Sequence, residues 1–86
     1  MNQAAEVYAR EFDTRFFALP PGAQDRIETK IRELGRRLED FPHHRLQGRP
    51  EFRLRVGDYR IIYKFDLTQN ELHLVTLGHR RDVYRF

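Results

Sequence analysis

Apolar and polar positions alternate most regularly between residues 51 and 66, EFRLRVGDYRIIYKFD. Two runs rich in aromatic and β-branched residues meet at Gly57-Asp58, a two-residue Gly-X turn that suits a type II′ β-hairpin. Pairing Val56 with Tyr59 across the turn fixes the register of the whole ladder. Phe52, Leu54, Val56, Tyr59, Ile61, Tyr63 and Phe65 then share one face, the core face. Arg53, Arg55, Arg60, Ile62 and Lys64 share the other, with Arg55 directly opposite Arg60. Like charges facing each other across an antiparallel pair are destabilising, so folding alone does not select them. An anionic ligand on that face is the expectation.

Upstream, the period changes. Ala5, Val7 and Ala9 alternate with polar or amphipathic neighbours, as in a short half-buried strand. Phe12, Phe16 and Leu19 recur at i, i+4 and i+7, as on a helix. This predicts a strand to about Tyr8 and a helix to about Leu19, with one helix from Ala4 as the alternative. Pro20-Pro21-Gly22 breaks the chain and opens a second helix with Pro21 in its first turn. Ile27, Ile31, Leu34 and Leu38 form its apolar stripe. Glu28/Arg32 and Glu33/Arg37 are spaced as i,i+4 ion pairs, and Phe41-Pro42 is the expected end. The loop PHHRLQGRP, residues 42 to 50, is basic, and its Leu46 is expected to tuck into the core.

Beyond the hairpin, residues 67 to 70 form a turn and 71 to 79, ELHLVTLGH, a third consecutive strand. Pairing Asp66 with Glu71 puts Leu72 and Leu74 on the core face. Simple alternation then puts His73, Val75, Leu77 and His79 on the arginine face. An apolar strip of Ile62, Val75 and Leu77 bordered by cations suits a surface covered by a partner or by bases. In the closing segment GHRRDVYRF, Val83, Tyr84 and Phe86 are too apolar for a solvated tail, which predicts that it docks.

Together these elements predict an α+β fold, a small mostly antiparallel sheet with two N-terminal helices packed on one face. The 86 residues suit one domain, residues 1 to 86. Seven Phe and four Tyr supply a core. Without cysteine, disulfides, thiolate metal sites and a Cys nucleophile are excluded. His43 and His44 are adjacent and lack further ligands at suitable spacing, so no metal and no cofactor is expected. No apolar run approaches the roughly 20 residues of a membrane span, and a reducing cytoplasm is the default.

Charge is distributed unevenly. Residues 1 to 41 carry 7 basic and 8 acidic side chains, net −1, whereas residues 42 to 86 carry 9 and 5, net +4, and all four histidines. Fourteen of the sixteen basic residues are Arg, whose planar fork grips phosphate in two places and stacks on bases. Such a half points to a nucleic-acid backbone. The chain has no serine, which together with the absent cysteine removes the common hydrolase nucleophiles, and it lacks a P-loop or dinucleotide fingerprint. Arg, His and Tyr remain. That set suits metal-free RNA cleavage, in which a ribose 2′-OH attacks the adjacent phosphate, Arg stabilises the developing charge and His or Tyr moves a proton.

RLRVGDYRIIYKFD followed by LGHRRDVYR resembles the RelE branch of the RelE/ParE toxin superfamily of type II toxin–antitoxin pairs. The LPPGAQDRI helix start and the Leu46–Gly48 loop fit as well, so the resemblance spans nearly the whole chain. It implies a RelE-like fold and a toxin that enters the ribosomal A site and cleaves mRNA there. It implies a cognate antitoxin that silences the toxin and links it to operator DNA. By resemblance Arg60 and Arg80 are phosphate-stabilising groups and Tyr84 the tyrosine of the closing motif. Arg53, Arg55, Lys64 and Arg81 are substrate-binding candidates. Arg53 and Arg55 stand where RelE-type members often have lysines. Arginine does not serve as a base, so His79 becomes the candidate for proton transfer. Two other implications stay open: a ParE-like inhibitor of DNA gyrase, which shares the G-D-Y-R hairpin, and a non-toxic member that binds its antitoxin.

Overall fold

The computed structural model describes residues 2–79. Its elements run β1 (Ala5–Tyr8), α1 (Arg10–Phe17), α2 (Pro21–Arg36), β2 (His44–Arg45), β3 (Phe52–Val56), β4 (Tyr59–Asp66) and β5 (Glu71–His79). Five strands form one sheet in the order β1-β5-β4-β3-β2. All neighbours are antiparallel except β1, which joins the edge parallel to β5. The predicted α+β fold is observed, and of the two readings of the N-terminus the strand followed by a helix is the one formed.

Both helices lie on one face of the sheet. Phe12 and Phe16 of α1 and Ile27, Ile31 and Leu34 of α2 meet Leu54, Ile61, Tyr63, Leu72, Leu74 and Leu77 in the main core. The stripe read from the sequence is therefore the buried stripe. Helix α2, however, ends at Arg36, five residues before Phe41. Its final carbonyls are claimed from far away in sequence. The Ala4 N–H donates to Gly35 O at 3.1 Å, and the Gln3 amide donates to Arg32 O at 3.2 Å. A Cβ on Gly35 would lie 2.6 Å from Gln3 Nε2, so a larger residue there would displace the Gln3 amide from its bond to Arg32 O. Leu38 stays fully buried in the turn that follows. The early ending also redistributes ion pairs. Glu28–Arg32 forms at 3.8 Å as expected, but Glu33 pairs with Lys30 and Arg37 with Asp40.

The hairpin has the expected register, with Val56 opposite Tyr59 and Arg55 opposite Arg60. Gly57 has φ +58°, and Asp58 keeps a negative φ, as a II′ turn requires. On β5, Asp66 pairs with Glu71 as predicted, but one residue is inserted midway. Tyr63 faces Leu74 while Ile62 faces Thr76, leaving Val75 as a bulge. The pattern explains the shift. Strict alternation from Leu72 would bury Thr76 among the helices and expose Leu77; the bulge exchanges them. Leu77 thus belongs to the main core and not to the arginine face. Leu46 differs too. It is buried, but with Ile62 and Val75 in a small second cluster on the outer face of the sheet.

Candidate functional site

The outer face of the sheet is built in rows set by cross-strand pairing, since directly paired residues share a face. One row carries His44, Arg53, Ile62 and Thr76 across β2 to β5. The next, toward the hairpin tip, carries Arg55, Arg60 and Gly78. On the other side Lys64 faces His73, with Val7 beyond. Arg53, Arg55 and Lys64 are exposed and Arg60 is half-buried. Gly78, directly across from Arg60 on β5, is itself buried. The Arg55 side chain turns back over the tip, its Nε donating to Gly57 O at 3.3 Å. His73 is engaged by Glu71 at 3.1 Å.

Within this basic margin lies the cluster of Leu46, Ile62 and Val75. Ile62 is 0% exposed, so the strip read from the sequence as an open apolar surface is a covered one. The Thr76 hydroxyl is also buried and finds no hydrogen-bond partner among the described residues.

Sequence-predicted site residues divide into three groups. Arg53, Arg55, Arg60 and Lys64 come together on the outer face. His79 does not join them. It stands opposite Tyr59, ring centroids 6.3 Å apart, and Tyr59 packs against the helix-side core. The bulge at Val75 is the cause, because it reverses the facing of every later residue on β5. Arg80, Arg81 and Tyr84, and the docking of the closing segment, lie outside the described residues. His44 was passed over in the sequence. It is exposed beside Arg53 on the same face, placed there by the two-residue strand β2, which is too short to leave a pattern in the sequence. The Arg45 guanidinium lies 5.0 Å over the Phe52 ring on the opposite side.

His43 is structural. It stacks on Phe65 at 4.1 Å, and its Nε2 lies 2.8 Å from Leu38 O. A carbonyl only accepts, so Nε2 carries the proton and Nδ1 accepts from the Tyr63 hydroxyl at 2.7 Å. Burial pushes the Tyr63 phenol above its usual range, which keeps it a donor. Tyr8 is raised too, first by burial and then by its hydrogen bond to Glu6. Among the described residues no group of His, Asp or Glu is placed to hold a metal ion. No helix among them is long and apolar enough to cross a membrane.

The family model for the ParE toxin of type II toxin–antitoxin systems (parDE) matches residues 2–84. No curated protein sequence matches the chain significantly. Among solved structures, the archaeal RelE–RelB complex from Pyrococcus horikoshii OT3 aligns at 21% identity and TM-score 0.76, over 94% of this chain and 99% of that one. The RelBE2 toxin–antitoxin complex from Mycobacterium tuberculosis gives 21% and 0.76 over 95% and 97%. The isolated E. coli RelE toxin gives 15% and 0.76 over 94% and 90%. At these identities the likeness is one of fold.

Proposed function

The chain belongs to the ParE toxin family of type II toxin–antitoxin systems, in the RelE/ParE superfamily, and from that premise we propose that it is a ribosome-dependent endoribonuclease. It cleaves mRNA in the A site through attack of the ribose 2′-OH on the neighbouring phosphate. The observation that carries this reading is the row of Arg55, Arg60 and Gly78 on the outer face, flanked by Arg53 and Lys64. Half-buried Arg60 is held where its fork meets a phosphate with less competition from water than an exposed arginine has. Arg60 and Arg80 stabilise charge developing on the phosphate, and Arg53, Arg55, Lys64 and Arg81 hold the backbone. Tyr84 stacks on a base or moves a proton. Proton transfer lies between His79 and His44, and the register favours His44, which shares a face with Arg53 and Arg60. The protein acts in the cytoplasm, silenced by a cognate antitoxin that also connects it to operator DNA. Val7, Tyr8 and Phe17, the last 71% exposed, give a protein partner apolar surface to cover.

The test adds purified protein to programmed ribosomes and maps mRNA ends by primer extension, with free RNA as control. Cuts within A-site codons on ribosomes alone are expected. Arg60→Ala and Arg80→Ala should each lose roughly 100- to 1,000-fold in single-turnover rate, the usual effect of removing a group that stabilises developing charge. Intact mRNA from protein that still arrests growth would sink the nuclease reading. The family description favours a second reading, inhibition of DNA gyrase by binding. It predicts loss of supercoiling activity at equal growth arrest.

A further inference from the structure

The basic surface does not stop at the outer face. Because Arg55 bends over the hairpin tip, its guanidinium reaches a cleft between the tip and α2, lined by Asp25, Arg26, Thr29, Lys30, Val56 and Gly57. Arg26, Lys30 and Arg55 bring three positive charges against the single carboxylate of Asp25. Lys30 shares its charge with Glu33 at 3.3 Å, while Arg26 makes no ion pair among the described residues. A Cβ built on Gly57 would meet nothing within 4 Å, which leaves the tip open to close approach by a ligand.

We propose that this cleft is a second binding site for the phosphodiester backbone of RNA, separate from the outer face and joined to it by Arg55. An isolated carboxylate would satisfy Arg26 or Lys30 alone. Charges that continue around the tip, from Arg60 through Arg55 to Lys30 and Arg26, match instead a polyanion with regularly repeated charges. The RNA in the cleft lies outside the reacting codon, so the site adds affinity and not rate. This rests on the nucleic-acid reading above.

The double variant Arg26→Gln/Lys30→Gln tests it by fluorescence anisotropy with a labelled single-stranded RNA across a salt series. Each lost phosphate contact on a single strand lowers the slope of log affinity against log salt by about 0.7. Two contacts remove about 1.4 from the slope, which is about 25-fold in affinity at 0.1 M salt relative to a 1 M reference. Asp25→Asn removes the opposing charge and should tighten binding by up to about 5-fold. Single-turnover cleavage on saturating ribosomes should stay within about 2-fold of wild type in the double variant, and its melting temperature should be unchanged. Wild-type-like slope and affinity in the double variant, or no RNA binding by the wild type, overturns the cleft. A wild type that binds RNA through the cleft yet leaves mRNA intact on ribosomes defeats the nuclease reading and leaves the cleft standing.

Discussion

Truncating Ile62 distinguishes a second core from an open surface on the outer face. Ile62 sits on the arginine face and yet is 0% exposed, packed with Leu46 and Val75. Ile62→Ala removes three buried carbons, about 2.4 kcal/mol at roughly 0.8 kcal/mol per methylene. A rigid site would add a cavity penalty of about 2 kcal/mol at 24 cal/mol per Å³. Leu46 comes from a loop and Val75 from a bulge, so both have room to relax and recover part of that second amount. The expected loss is about 3 kcal/mol. For a domain of this size that lowers the melting temperature by roughly 12–24 °C. Urea unfolding followed by circular dichroism measures it directly, and Leu46→Ala with the double variant completes a cycle whose coupling should exceed about 0.5 kcal/mol. A surface isoleucine would cost at most about 0.5 kcal/mol. A loss below 1 kcal/mol without coupling to Leu46 would refute the second cluster and restore the open strip.

Three further outcomes follow from particular groups. Gly57→Ala places a Cβ at φ +58° and should destabilise by about 1–3 kcal/mol with the outer face intact, since nothing crowds the position; a neutral effect in urea melts would contradict the II′ turn. Burial holds Tyr63 protonated in the folded state above its unfolded value of 10, so its contribution is complete below pH 10 and is lost as pH rises beyond it. Stability should therefore fall above pH 10 by up to about 1.4 kcal/mol per unit, and Tyr63→Phe should flatten that slope; equal slopes in alkaline melts would show that the phenol is not sequestered. His44→Gln should slow single-turnover cleavage by about 100-fold while His79→Gln changes it less than about 3-fold, and the reverse ranking would move proton transfer to the end of β5.

Local signals made most of the fold legible. Gly57-Asp58 set one turn, Val56 and Tyr59 set the hairpin register, and the 27-31-34-38 stripe set the helix face, each within a few residues. What escaped were effects decided at a distance. Near the end of helix α2, Ala4 and Gln3 donate to Gly35 O and Arg32 O, contacts that no window around residue 36 contains. Leu46 was recognised as buried, but its face depends on a two-residue strand too short to carry a pattern. The bulge was within reach. An apolar spacing of 72, 74, 77 breaks period two once, and a Thr followed by Leu at the break marks where a sheet gains by inserting a residue.

That single insertion has consequences for the site as well as for the core. Without it, Leu77 and His79 would face outward and Thr76 inward. With it, β5 offers Gly78 to Arg60 and keeps Leu77 under the helices. The same shift moves His79 away from the arginines. The like-charge pairing of Arg55 with Arg60, unfavourable to folding, is tolerated through a related device. Gly57 creates a tip around which Arg55 turns, and its carbonyl accepts the Arg55 Nε–H that holds the bend. Arg55 thus stays paired with Arg60 on the outer face while also bordering the cleft beside α2.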